Sequence, residues 1–259
     1  MIKYIKELIR YKDFLGLLIQ RDIKLKYRRS FLGYIWSVLN PLLTMIIMTI
    51  VFSQMFKRNI ENFPVYLLIG NILFGFMRES STLAMNSVVG NASLIKKIYV
   101  PRFIFTISTV TSSMINLLFA MGALIAVIIF TGVNFTVYTL LIIIPITELY
   151  VFCIGLGLFL AQASVFFRDI RNIWSVVTLA WMYMTPIFYP LSALPEMLQV
   201  WIPRLNPMYI YITQFRDFIL TGAGTNPMLL LKGLIFAVVM LFVGIWRFKR
   251  NENRFILYI

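Results

Sequence analysis

Three charged residues lie well inside long apolar stretches of the chain, away from their edges. Arg78 and Glu79 are near the middle of one stretch, and Glu148 is well inside another. An ionisable group at the centre of a membrane costs about 3 kcal/mol even on mild scales, so each group must face protein or water. Adjacent residues of a helix diverge, which makes Glu148 a better partner for Arg78 than Glu79 is. We therefore predict an intramembrane charge pair of Arg78 and Glu148, either functional or purely structural.

Polar and aromatic side chains recur at helical spacing on three of the apolar stretches. Residues three, four or seven positions apart lie on one face of a helix, so each stretch presents one stripe. Such stripes predict the wall of a hydrated path through a membrane. Contacts between helices and aromatic belts at the membrane surface are the alternatives. The stripe residues are Ser37, Asn40 and Thr44 on the first stretch, Asn71, Phe74 and Arg78 on the second, and Trp174, Trp181 and Phe188 on the fifth.

The composition requires a membrane around these stripes. The 259 residues are 60% hydrophobic and only 13% charged, whereas soluble domains are about 25% charged. A bilayer core takes about 20 helical residues to cross, and a helix satisfies its own backbone polar groups in lipid. We therefore predict an all-α integral membrane protein with six transmembrane helices. The predicted spans lie near residues 35–56, 65–89, 104–131, 137–167, 173–189 and 228–246.

Lysine and arginine are concentrated before the first span, after the second, after the fourth and after the last. Because cytoplasmic loops carry an excess of these residues, both termini are predicted to be cytoplasmic. Residues 1–34 form a cytoplasmic amphipathic segment, since Leu15, Ile19, Ile23 and Tyr27 recur every four residues beside a basic face. Residues 35–246 form the six-span domain, and 247–259 form a cytoplasmic basic tail.

Several activities lack the residues that they need. The chain has no histidine and one cysteine, Cys153, so a zinc or haem site and an intrachain disulfide are not expected. It has no G-x-x-x-x-G-K-[ST] phosphate loop, so energy for uphill transport must come from another chain. We predict a protein that is not an enzyme, with no cofactor of its own and no nucleic-acid partner. An intramembrane glycosyl- or acyltransferase, or a passive channel or scaffold, are the alternatives.

The segment "RDIKLKYRRSFLGYIWSVLNPLL", from Arg21 to Leu43, resembles the N-terminal signature of ABC-2-type exporter permeases. The resemblance is greatest to those that export O-antigen, capsule or teichoic acid, and it continues at 94–105, 165–190 and 204–222. It implies a multi-pass protein of the cytoplasmic (inner) membrane that forms a homodimer with two copies of a separate ATPase. ATP and Mg would bind to that ATPase, and exporters of a drug, a lipid or a short lipo-oligosaccharide are the alternatives within the family.

The resemblance also assigns roles to particular segments. The stripes would line a sugar path, since aromatic rings stack on sugars while amides and hydroxyls bond sugar hydroxyl groups. Two segments before the last span, 194–202 and 209–220, would be re-entrant external helices. Residues 91–103 resemble the coupling helix that docks on the ATPase. The residues expected to make that contact are Leu94, Ile95, Lys96, Lys97, Ile98 and Tyr99.

Tyr27, Arg28 and Arg29 lie where the N-terminal segment should meet the first span, at headgroup depth. Export of a glycan linked to polyprenyl pyrophosphate must begin by capturing an anionic headgroup there. The guanidinium of arginine can bond two phosphate oxygens at once. We therefore predict lipid pyrophosphate capture by these three residues, with a simple topology anchor as the alternative.

Overall fold

A computed structural model of the chain describes residues 2–28, 32–56, 60, 62–222 and 224–257. These residues contain helices, turns and bends but no strand, which confirms the all-helical prediction for the described part of the chain. They form eleven α-helices. In chain order these are α1 (Ile2–Arg10), α2 (Lys12–Tyr27), α3 (Trp36–Phe56), α4 (Phe63–Ser87), α5 (Ala92–Ile95), α6 (Phe103–Thr131), α7 (Ile143–Phe166), α8 (Ile170–Met184), α9 (Glu196–Leu205), α10 (Pro207–Arg216) and α11 (Pro227–Asn251).

Four helical segments among the described residues are long and apolar enough to cross a membrane. The two other predicted spans, which correspond to α4 and α8, are not among these four segments because of their composition or length. The 25-residue α4 carries Asn71, Arg78 and Glu79, which lower its apolar content, and the 15-residue α8 ends at Met184, just before Pro186. The four segments are Gly33–Phe52, Phe103–Thr131, Val137–Phe166 and Pro227–Asn251.

Helix α4 is the inner helix of the bundle. It contacts α3, α6, α7, α8 and α10, and apolar residues along its whole length, such as Leu67 and Met77, are completely buried. A helix that is enclosed by protein can carry polar groups that lipid would not tolerate, provided that neighbouring helices or water satisfy them. This position explains how α4 accommodates two adjacent charged residues.

Helices α7 and α11 make the closest contact in the bundle, at two glycines. A Cβ on Gly244 would lie 2.1 Å from the carbonyl oxygen of Gly155, and a Cβ on Gly155 would lie 2.4 Å from the carbonyl oxygen of Met240. Because lipid chains are as apolar as side chains, membrane helices associate largely through such close backbone contact. These two glycines therefore hold α11 against the rest of the bundle.

The N-terminal helices α1 and α2 lie at one end of the bundle, and we call this end of the bundle the basic end. A separate apolar cluster there joins Leu18 of α2, Phe105 of α6 and Phe248 of α11. The Arg102 guanidinium donates a hydrogen bond to the carbonyl oxygen of Glu252 and lies over the ring of Phe255. One apolar core is thus shared by the N-terminal helices, the start of α6 and the end of α11. We call the opposite end of the bundle the far end.

We expect Gly244→Ala to lower the stability of the protein by about 1–3 kcal/mol, the usual cost of overpacking a tight contact. The measurement is the thermal unfolding midpoint of the purified protein in detergent.

The matched control for this substitution is Gly122→Ala in α6, where the new Cβ would meet its nearest neighbour, Val38, at an ordinary 3.8 Å. Equal midpoints for the Gly244 and Gly122 variants would contradict the assigned role of the glycine contact.

Candidate functional site

A polar cavity of about 720 Å³ lies between α3, α4 and α6, and the last turn of α2 closes it at the basic end. Its wall combines hydroxyl, amide and charged groups with a comparable number of apolar residues, such as Trp36 and Phe76. The polar wall residues are Ser37, Asn40 and Thr44 of α3, Asn71, Arg78, Glu79 and Thr82 of α4, Ser113 and Asn116 of α6, and Lys26 and Tyr27 of α2.

The polar face of α3 follows from its spacing and from a proline. Ser37, Asn40 and Thr44 are three or four residues apart and line the same cavity wall, as the helical period requires. Pro41 lies inside the helix and has no N–H, so the carbonyl of Ser37 lacks its usual helical donor.

A hydrogen-bonded network closes the cavity at the basic end. The Lys26 ammonium lies 2.7 Å from Oε1 of Glu79, and Nδ2 of Asn116 donates to the same oxygen at 2.9 Å. The Tyr27 hydroxyl, which is buried, donates to Oδ1 of Asn116 at 3.0 Å. Because Lys26 and Glu79 keep 42% and 35% exposure, water screens their ion pair and it is modest in strength. The network joins α2 to both α4 and α6.

Arg78 and Glu148 do not form the predicted pair. Arg78 is exposed on the cavity wall and has no carboxylate partner among the described residues. Glu148 is buried and accepts a hydrogen bond at 3.1 Å from Gln214 of α10. A Cβ on Gly233 of α11 would lie 2.1 Å from the carboxylate of Glu148. The rotation of α7 therefore turns Glu148 toward α10 and α11 and away from Arg78.

Five of the nine residues predicted to line a path are brought together at the cavity, and four are not. The indole of Trp174 donates to the hydroxyl of Ser81 at 3.0 Å, and the indole of Trp181 donates to Asn206 at 2.8 Å. These contacts attach α8 to α4 and to the start of α10. The residues at the cavity are Ser37, Asn40, Thr44, Asn71 and Arg78, whereas Phe74 packs edge-on against Trp181 and Phe188 stacks on Phe52.

The cavity also contains residues that were not predicted. Ser113 and Asn116 are polar, three residues apart and in the middle of α6. The search for polar residues at helical spacing, which identified the stripes of α3 and α4, would have found Ser113 and Asn116 on the third apolar stretch. Lys26 and Glu79 carried no such signal, because their contact depends on how α2 folds back against the bundle.

Arg216 organises the far end. Its buried guanidinium donates hydrogen bonds to the carbonyl oxygens of Tyr66, Pro186 and Ile187 at 2.8–3.2 Å and lies 3.3 Å from the centre of the Tyr66 ring. A Cβ on Gly70 would lie 2.9 Å from one of its nitrogens, so the glycine makes room for it. One side chain thus connects α4, the segment after α8 and the end of α10.

Comparison with known proteins identifies the family to which this chain belongs. The model of the ABC-2 type transporter family matches residues 14–220, which contain most of α2, all of α3 to α10 and every residue of the cavity wall. The chain belongs to the ABC-2 type transporter family. It is therefore a transport protein of the membrane and not an enzyme, and the resemblance seen in the sequence is confirmed.

Several relatives of this ABC-2 chain match it over most of its length. It is 29% identical over 217 residues to the O-antigen export system permease protein RfbA of Myxococcus xanthus, covering 83% of this chain and 84% of that one. It is 28% identical over 248 residues to RfbA of Klebsiella pneumoniae, covering 94% and 93%. The capsule polysaccharide export inner-membrane protein CtrC of Neisseria meningitidis is 23% identical over 222 residues, covering 82% and 81%.

The segment predicted to couple this ABC-2 chain to an ATPase forms a single helical turn and a loop. Leu94 and Ile95, at the end of α5, pack against the basic-end core. Lys96 and Lys97 are exposed, Ile98 is 42% exposed, and Tyr99 is 99% exposed. The apolar half of the segment thus anchors it, and the other half is presented at the surface.

The three residues predicted to capture a headgroup have different surroundings. Tyr27 is buried and its hydroxyl is bound to Asn116, so it faces the protein. Arg28 is exposed at the end of α2. Arg29 lies outside the described residues. Of the three, the structure therefore presents Arg28 at the surface.

We expect single cysteines at Asn40 and Asn71 to react readily with a small polar thiol reagent in a Cys153→Ala background, because both positions line the cavity. Cysteines at the buried Leu73 and Phe74 should react at least roughly tenfold more slowly, since their reaction requires local opening that costs about 1.4 kcal/mol or more. The measurement is the labelling rate in membranes. Equal rates at all four positions would show that the cavity does not open to water.

Replacing Arg216 with lysine should lower the stability of the protein by about 2 kcal/mol. Lysine keeps the charge, but its compact ammonium cannot span the separate carbonyl groups that the guanidinium reaches. Thermal unfolding in detergent measures the effect, and Arg204→Lys, at an exposed position of α9, is the control. An unfolding midpoint for the Arg216 variant as high as that of the control would refute the assigned role of Arg216.

Proposed function

We propose that the chain is the membrane-spanning permease subunit of an ATP-driven exporter of a polysaccharide such as O-antigen. The observation that carries this proposal is the polar cavity inside an apolar ABC-2 bundle. Its wall places amides and hydroxyls beside apolar and aromatic side chains. This combination suits sugars, which present hydroxyl groups at their edges and apolar faces on their rings. The relatives named as O-antigen and capsule export proteins support the same cargo class.

The working protein is a homodimer in this proposal. A cavity of about 720 Å³ has the size of a site for a small molecule, so a polymer requires a path that two subunits share. Helices α3 and α8 expose apolar residues such as Ile47 and Val176, which suit either a second copy or lipid. Each subunit would contribute six spans, which are the four apolar segments together with α4 and α8. Both termini would lie in the cytoplasm.

Energy reaches this dimer from two copies of a separate ATPase, which bind ATP and Mg. The chain itself has no phosphate-loop motif. The proposed contact is the loop from Lys96 to Tyr99, because it is exposed at its tip and anchored at its base by Leu94 and Ile95. An exposed tyrosine next to two lysines offers both an apolar anchor and a charge for a partner surface.

The cargo in this proposal carries a polyprenyl pyrophosphate, and Arg28, which is exposed at the end of α2, would meet it first.

Removal of the chain tests the function directly. Cells that lack it should accumulate one glycan inside and lose that glycan from their surface, and a plasmid copy should restore it. An unchanged surface glycan profile would overturn the proposed cargo class.

Substituting aspartate for Tyr99 should uncouple the permease from its ATPase. Buried interface tyrosines commonly contribute about 2 kcal/mol, so we expect the affinity for the ATPase to fall roughly 30-fold and export to fall with it. The measurements are co-purification of the ATPase and surface glycan.

The matched control is Phe135→Asp, at an exposed aromatic position of the loop between α6 and α7, at the far end. It should leave co-purification unchanged. Normal co-purification and export in the Tyr99 variant would contradict the coupling assignment.

A further inference from the structure

The charges on the cavity wall do not balance. Lys26 and Arg78 are positive, Glu79 is negative, and the remaining wall residues are neutral. The carboxylate of Glu79 is already engaged by Lys26 and by Asn116. The guanidinium of Arg78 is exposed to the cavity and has no ionic partner among the described residues.

The acids in neighbouring parts of the chain do not supply the missing charge. Glu148 is bound to Gln214 on the other side of the bundle, and Asp22 is bound to the adjacent Arg21. A cation in the middle of a span is stable only beside water or an anion. The wall therefore holds one positive charge that favours an anion inside the cavity.

We propose that the cavity binds a phosphate-bearing headgroup between Arg78 and Lys26, and that Glu79 serves as the counter-ion of Lys26 when the site is empty. The inference rests on the proposed function and deepens it, since it assigns a residue-level site to the charged end of the cargo. The guanidinium offers paired donors to phosphate oxygens, and the ammonium offers a point charge. The amides of Asn40 and Asn116 stand on the same wall as neutral donors.

Exchange between Glu79 and a phosphate has a structural consequence. Lys26 belongs to the last turn of α2, and its bond to Glu79 is one of two side-chain hydrogen bonds that fasten this turn to the spans among the described residues. A phosphate that takes Lys26 away from Glu79 leaves the bond of Tyr27 to Asn116 as the other of these two. Binding of the headgroup would thus weaken the attachment of the last turn of α2 to the spans, at the mouth of the cavity.

Two substitutions at adjacent residues should change the affinity in opposite directions. Arg78→Gln removes the uncompensated charge and should weaken binding of a phosphate headgroup about tenfold. Glu79→Gln removes the competing anion, keeps an acceptor oxygen for Asn116, and should strengthen binding several-fold. Arg78→Lys preserves the charge without the paired donors and should weaken binding by an intermediate factor.

The test is the dissociation constant of the purified full chain in detergent for farnesyl pyrophosphate, measured by calorimetry for the unchanged chain and for each variant. Arg204→Gln, at an exposed position of the far-end helix α9, is the matched control and should have no effect. Competition by inorganic pyrophosphate and by phosphatidylglycerol micelles distinguishes the sources. Displacement by phosphatidylglycerol at equal concentration assigns the site to the bulk lipid headgroup, and displacement by pyrophosphate alone assigns it to the linked cargo.

Equal affinities for the Arg78→Gln and Arg204→Gln variants would overturn the site, as would a Glu79→Gln variant that binds no more tightly than the unchanged chain. These outcomes are distinct from failure of the proposed function. Surface glycan in cells that carry the unchanged chain reports the function, whereas the dissociation constants of the variants report the site.

Discussion

The constraint that shapes the rest of the arrangement is that the carboxylate of Glu79, which lies inside a span, must be satisfied; Lys26 and Asn116 satisfy it, and Tyr27 holds Asn116 in place. A carboxylate in a span needs a partner, and here the partner comes from a helix outside the spans. The ion pair of Lys26 and Glu79 therefore does two things. It allows an ionised residue inside the inner helix α4, and it draws the N-terminal segment over the end of the cavity.

Helix α4 is held at two points and lines the cavity between them. Toward the basic end, about two turns before its last residue, Glu79 binds α2 and α6. At the far end, Arg216 donates a hydrogen bond to the carbonyl oxygen of Tyr66, close to the start of α4. Between these contacts α4 is buried on one side, while Asn71 and Arg78 face the cavity on the other. Two fixed points with a polar face between them suit a helix that forms a stationary wall of a path.

The sequence predicts the elements of this fold better than their contacts. The lengths of the apolar stretches predicted the long helices, and the spacing of polar residues predicted that Ser37, Asn40 and Thr44 share one wall. Both predictions succeed because they concern properties of a single helix. The partner of Glu148 could not be predicted in this way, since it depends on the rotation of α7 about its axis. The same limit applies to Trp174 and Trp181, whose helical spacing is equally compatible with a path and with the contacts to Ser81 and Asn206.

In the proposed exporter, a glycan passes along the wall formed by α3 and α4. Crosslinking tests this path: a photoreactive amino acid is placed at Asn40 or Asn71, cells whose export is stalled by depletion of ATP are irradiated, and the chain is probed for attached glycan. A glycan-bearing adduct is expected at these positions and none at Leu73, which is buried on the same helix as Asn71. Absence of an adduct at both cavity positions, with efficient attachment at Leu73, would contradict this path.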